Sequence, residues 1–314
     1  MSRRSSPDGP AASPDGPGAG PDGPADADWL AGRRSRLLGD PGGRRSVALS
    51  TSSTVVVIAV IAAIFWLAPG SANVRHTFFN PTDMWRSFVG DPRQGYYSVG
   101  EALWLNIRMF LVAEVLILML ALGVAVVRMS TGPVMLPLRI VATIYVDVFR
   151  GVPLILVIYM LGYGLPALDL RVISTQSAAV YGVAALVLSY SAYVSEVYRA
   201  GIGSVHRSQV AAARSLGLSE WTAMRHVILP QAFRNIIPPL LNDFISLQKD
   251  TALVSVLGAI EANRAAEIYS SSVFNYSSFV VAAILFLILT IPLARFTDRL
   301  IDRDRARRLA GATQ

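Results

Sequence analysis

The sequence predicts an all-α membrane protein of about six transmembrane helices, and three observations predict it. The first is where the charge lies. The chain has 314 residues, 53% apolar and 16% charged. Residues 1–46 hold seven Arg and six Asp, and residues 295–314 hold six Arg and three Asp. The 248 residues between carry only 27 charges, about 11%, against roughly 25% in an ordinary soluble chain. The second is a set of six apolar segments, at about 47–68, 102–127, 138–165, 178–198, 233–257 and 276–295. Most are long enough to cross a hydrocarbon core of ~30 Å as helix, the form that satisfies its own backbone groups in lipid. The third is the distribution of basic residues. With the N-terminus inside, 20 Arg fall in inside segments and five outside (Arg75, Arg86, Arg93, Arg171, Arg264). That is a strong positive-inside bias, and an even number of spans puts both Arg-rich ends on one side.

In chain order, residues 1–46 read as a disordered cytoplasmic tail. Pro-Asp-Gly-Pro recurs at Pro7–Pro10, Pro14–Pro17 and Pro21–Pro24, a seven-residue period in which neither helix nor strand propagates. The tail is not a signal peptide, because the first apolar stretch begins too far in. A first helix at 47–68 comes next, then an extracellular loop at 69–101. A core of five further helices fills 102–296, and 297–314 is a basic cytoplasmic tail. The third segment is interrupted by Arg150-Gly151-Val152-Pro153. The fifth carries several polar residues, so it belongs among other helices rather than against lipid.

Composition excludes several chemistries. There is no Cys, so no disulfide, thiol nucleophile or Cys-ligated metal. His76, His206 and His226 lack zinc-site spacing. The single lysine, Lys249, is followed by Asp250, so the chain has no phosphate-binding GxxxxGK loop.

The longest inside loop, 199–231, carries order of its own. Helix signals run through Ser204–Leu216, and Gly217 is placed as a C-terminal cap where positive φ is needed. Ser219 reads as the N-cap of a second helix with Glu220 in its first turn. Trp221, Met224 and Ile228 form one apolar face, and Leu229-Pro230 ends the helix. Two short helices joined at a glycine make a protrusion with exposed apolar surface, which calls for a partner or for the membrane surface.

These residues carry a resemblance. Ala211-Ala212-Ala213, three residues, Gly217, nine residues to His226, then Val227-Ile228-Leu229-Pro230 resembles the EAA motif of ABC importer permeases. Four further stretches are similar to the polar amino acid uptake branch, the histidine, glutamine and glutamate permease type. They are Arg150-Gly151-Val152-Pro153, Ala192 through Gly201, Leu229–Ala232, and Pro238-Pro239-Leu240 with Asn242 and Lys249–Leu253. The likeness covers about 100–300, so the tail and first helix lie outside the usual five-helix type I core. Three positions depart from it: Ala211 replaces the motif's Glu, and Val152 and Ala252 replace a Thr and a Ser.

The resemblance implies a permease importing polar amino acids, with the loop at 204–230 as the coupling helix that docks on a separate ATPase. Ala211, Ala212, Ala213, Gly217, Leu218, Leu229 and Pro230 are its expected coupling residues. It implies two ATPase subunits, a second permease, the same or related, and an extracellular substrate-binding protein, with no nucleic acid. It implies no catalytic residue, no metal and no cofactor on this chain, ATP and Mg being used by the ATPase.

Ionisable residues in or near spans cost at least ~2.5–3.5 kcal/mol each unless paired or hydrated. Arg108, Glu114, Asp147, Arg150, Glu196, Asp243 and Lys249 are such residues. Asp147 and Arg150 share a helix face, which suits an ion pair that locks the bundle. Glu114 has no partner within one turn. Asp147, Arg150, Glu196, Asn242, Asp243, Lys249 and Asp250 therefore either lock the bundle or line a path for a zwitterionic solute. The competing reading is a secondary transporter driven by an ion gradient, which predicts an inverted repeat that the sequence does not display.

Overall fold

A computed structural model describes residues 44–312, with side chains over 49–303. The Pro-Asp-Gly-Pro tail lies outside the described residues, apart from its last three, which already belong to the first helix. The chain divides into two compact units, Met1–Ala72 and Asn73–Gln314.

The first unit holds helix α1 (Arg44–Leu67), whose stretch Leu49–Leu67 has a mean hydropathy of 2.1. Three of its hydroxyls are satisfied within the helix. The Ser52 and Ser53 hydroxyls donate to the carbonyls of Leu49 and Ser50, and Thr54 donates to Ser50. Such back-bonding lets a hydroxyl sit in lipid without a stranded donor.

The second unit is helical throughout its regular elements. The expected loop after α1 instead contains α2 (Ser71–Phe78) and α3 (Pro81–Val89). Asn80 caps α3, its side chain accepting from Thr82 N at 3.0 Å, and Pro81 occupies a first-turn position where no N–H is needed. This stretch is clamped to the chain far ahead. Tyr276 N donates to Thr77 O at 2.8 Å, Asn80 N donates to Ser277 Oγ at 3.0 Å, and the Tyr269 hydroxyl donates to Asp83 Oδ1 at 2.9 Å.

Helix α4 (Val99–Met129) starts at Ser98, whose Oγ accepts from Glu101 N. Its 31 residues span about 46 Å at the usual rise. It packs on α7 (Ala178–Gly203) through Ala113, Ile117 and Ala121 against Leu186 and Val194. Small side chains let the backbones approach, the means by which helices associate where lipid removes the hydrophobic drive.

The third apolar segment is two helices, not one straight span. α5 (Leu136–Gly151) and α6 (Leu154–Gly164) are bent by 109°. Pro153 has no N–H, and it pushes Val152 out of helical geometry to φ −93, ψ 130.

After α7 come α8 (Arg207–Ser215) and α9 (Glu220–Ala223). A π-helical turn, Met224–Ile228, leads without a break into α10 (Leu229–Asp250), which tightens to a 3₁₀ segment, Thr251–Leu257. The sequence pattern ends the second loop helix at Leu229-Pro230. The structure corrects this, because Pro230 falls in the first turn of α10 and the wider turn before it accommodates the missing N–H. Leu229 N accordingly bonds to Met224 O, five residues back.

α11 (Ala262–Val273) and α12 (Ser277–Ala312) complete the chain. α12 runs helical to Ala312, so the basic stretch after 296 continues the last helix. Among the described residues, four helical stretches are long and apolar enough to cross a membrane: Leu49–Leu67, Val99–Met129, Ala178–Gly203 and Ser277–Arg303. The bent α5–α6 pair would make a fifth. α10 has the length but is too polar to count, and it buries Leu247 and Gln248 within the protein.

One close approach is a test of this packing. A Cβ added at Gly201 would lie 2.2 Å from Ile236 Cγ1. Gly201→Ala is expected to destabilise the solubilised protein by about 1–3 kcal/mol. Ile236→Ala in the same chain should recover part of the loss. Thermal unfolding in detergent measures both, and an unchanged midpoint for Gly201→Ala would contradict the packing.

Candidate functional site: a helical protrusion and a charged cleft

The protrusion is built around Gly217. α8 starts at His206, whose Nδ1 accepts from Ser208 N at 3.2 Å. It ends in a Schellman arrangement: Leu218 N donates to Ala213 O at 3.2 Å and Gly217 N to Arg214 O at 2.9 Å. This closure needs a left-handed residue, and Gly217 has φ 77. Ser219 then caps α9, its Oγ accepting from Thr222 N at 3.2 Å. Arg214 and Glu220 pair across the turn at 3.2 Å, but both are exposed, so the pair adds little. Ala213 and Ala223 are buried between the two short helices, while Ala211, Ala212, Leu216, Gly217 and Trp221 face outward and Leu218 is half-buried. Leu216 is 80% and Trp221 72% exposed, so this knuckle presents apolar surface with no covering element among the described residues.

Above it, α5, α7 and α10 enclose a cleft of about 570 Å³ lined by Arg150, Tyr193, Glu196, Asn235 and Asp243, among others. Three of the charged residues singled out in the sequence thus meet in one place. Asp147 and Arg150 do not pair: among the described residues no ion pair joins them. Arg150 instead lies over the Tyr193 ring, 5.8 Å from its centroid, and the Tyr193 hydroxyl donates to Arg150 O at 3.1 Å. The ring on α7 outcompetes the carboxylate one turn away, and Asp147 points to the surface. Glu196 holds two arginines, Arg128 from α4 and Arg199 one turn along α7. Glu114, without a local partner, lies within electrostatic reach of Asp243 and Tyr198. Asn242 and Lys249 are exposed outside the cleft, and Asp250 accepts from the Tyr190 hydroxyl at 2.7 Å.

Sequence reasoning missed a buried polar knot. Asn106, in the third turn of apolar α4, donates Nδ2 to Thr251 Oγ1 at 3.1 Å and to Glu261 Oε2 at 2.9 Å, and accepts from Ala262 N at 3.0 Å. Glu261 is fully buried and caps α11, accepting from Asn263 N and Arg264 N. Burial raises its carboxyl above the usual range, against the pull of these donors. Gln248, equally buried, accepts from the Thr290 hydroxyl at 2.6 Å. The signal that could have found the knot was Asn106 itself, a lone amide inside an apolar run. Among the described residues no cluster of His, Asp or Glu could hold a metal ion.

The described residues thus form a bundle of helices long and apolar enough to cross a membrane, with a charged cleft and a protruding helical knuckle. Residues 134–307 match the family described as the binding-protein-dependent transport system inner membrane component. The chain belongs to this family: it is a multi-pass ABC importer permease, a transport subunit and not an enzyme, in a family whose ATPase is a separate subunit. It is 38% identical to the Bacillus subtilis (strain 168) protein named "Probable glutamine ABC transporter permease protein GlnM", over 56% of this chain and 78% of that one. It is 33% identical to the arginine transport system permease protein ArtQ of the same organism, over 65% of this chain and 90% of that one. The crystal structure of an amino acid ABC transporter with histidines superposes with a TM-score of 0.60 at 33% identity, covering 65% of this chain and 93% of the other.

Proposed function

We propose that the chain carries polar amino acids, glutamate and glutamine or basic amino acids, inward across the cytoplasmic membrane on energy from ATP. In this reading it has six spans, with α10 as the fifth in the order of the sequence and both ends cytoplasmic. The helix at 47–68 is an addition to the five-helix core. The segment 204–230 docks on an ATPase. Two ATPases, a second permease and an extracellular binding protein complete the importer, and the binding protein selects the solute.

The observation that carries the reading is the knuckle at Gly217: a rigid, capped turn bearing Leu216 and Trp221 in the open. Apolar side chains on so short a protrusion suit insertion into a groove of a partner. The relatives named for glutamine and arginine transport support the amino acid class. Arg150 and Asp243 both line the cleft, and in this reading Arg150 would meet a carboxylate and Asp243 an ammonium.

Uptake into cells carrying the complete importer is expected to stop on ATP depletion and to survive collapse of the ion gradient. The reverse pattern would favour the secondary transporter. Asp243→Asn is expected to lower uptake severalfold while the ATPase still copurifies. Unchanged uptake kinetics would assign Asp243 to bundle packing.

A further inference from the structure

Arg128, Arg139 and Arg199 line one pocket of about 400 Å³ together with Ile140, Thr143 and Ile144. The arginines come from the last turn of α4, the start of α5 and the far end of α7. Arg128 and Arg199 both hold Glu196, and Arg139 Nη1 donates to Ser130 O at 3.1 Å. One carboxylate against three guanidiniums leaves two positive charges uncompensated. The apolar run of α4 stops at Val127, directly before Arg128, the pattern expected where hydrocarbon gives way to headgroups.

Its surroundings are apolar. Ile140 and Ile144 are 51% and 56% exposed. A second groove, of about 560 Å³, is lined by Val124, Val127, Leu138, Val141 and Tyr145, among others. Val127 and Leu138 directly precede Arg128 and Arg139 in the chain, so the groove and the basic pocket adjoin along both α4 and α5.

We infer that this is a binding site for an anionic phospholipid, with its phosphate on Arg139 and Arg199 and an acyl chain along the apolar groove. The arginines alone would accept any phosphate. The adjoining groove and the exposed isoleucines select a lipid, and the surplus positive charge disfavours a headgroup that carries its own ammonium.

The full-length chain, purified in detergent, is offered equal amounts of phosphatidylglycerol and phosphatidylcholine with identical acyl chains, and retained lipid is read by native mass spectrometry. Phosphatidylglycerol is expected to be retained in clear preference. Arg139→Gln should cut that preference about fivefold, and Arg199→Gln, on a side chain 50% exposed, should do the same. A monodisperse gel-filtration peak checks that each variant is folded. Inorganic phosphate in large excess should leave the lipid in place. Equal retention of the two lipids, a preference unaltered in both variants, or displacement by phosphate would overturn the site.

Discussion

Gly217→Val is expected to lower uptake at least tenfold while the amount of protein in the membrane stays the same. The backbone at 217 sits at φ 77, where a β-branched residue is an outlier, at a cost of about 1–2 kcal/mol. Open space surrounds the position, so a side chain there meets no clash; the strain is purely conformational. The chain relieves it by giving up the bonds from Leu218 N to Ala213 O and from Gly217 N to Arg214 O, which set the angle between α8 and α9. The spanning helices do not depend on these bonds, so abundance is spared. Gly217→Asn is the control. Asn tolerates the left-handed region, so it should keep most of the uptake. Equal losses in the two variants would sink the conformational argument, and normal uptake in Gly217→Val would sink the coupling role of the knuckle.

Asn106→Leu is expected to lower the thermal midpoint of the solubilised protein by about 10 °C. Leucine fits the volume but neither donates nor accepts. Ala262 N loses its acceptor, and Glu261, with no exposed surface, loses one of its donors. A stranded buried group costs about 1–3 kcal/mol, and more for a carboxylate, so the sum is about 3–5 kcal/mol. At about 2–4 °C per kcal/mol this gives the stated shift. The measurement is gel filtration with fluorescence detection after stepwise heating. In a Glu261→Leu background the same change should cost clearly less, because the two groups share one network. A drop below about 2 °C in the otherwise unaltered chain would mean that the knot is not a structural centre.

The helices were the legible part, and for a plain reason. Lipid and core alike demand unbroken apolar runs, so 102–127, 178–198 and 276–295 mark α4, α7 and the first half of α12 within a few residues over their apolar parts. Beyond Ala294 the charged run hides the continuing helix. Yet Arg295, Arg299 and Arg303 recur every fourth residue, with Asp298 and Asp302 between them, a spacing that suits a helix. Gly217 was legible as well, since a glycine between two amphipathic stretches has few other uses. The charged cleft was legible only as a collection of residues. Local spacing paired Asp147 with Arg150, but the partner that matters to Arg150 is Tyr193, 43 residues on. Glu196 meets Arg128 across 68 residues, and Asn106 meets Glu261 across 155. No local pattern carries those distances; they follow from which helix faces pack.

The unbroken path from Glu220 to Asp250 has a mechanical consequence. It is about 46 Å of helical rod with two soft points: the wide turn at Met224–Ile228, and Pro238-Pro239, where two N–H donors are missing. Between these points the helix is stiff and passes on thrust and twist; at them it yields to bending. A push arriving at Trp221 would therefore reach Asp250 and the 3₁₀ segment as sliding and rotation, and the polar knot at Thr251 and Glu261 is the anchor against which that stroke would work.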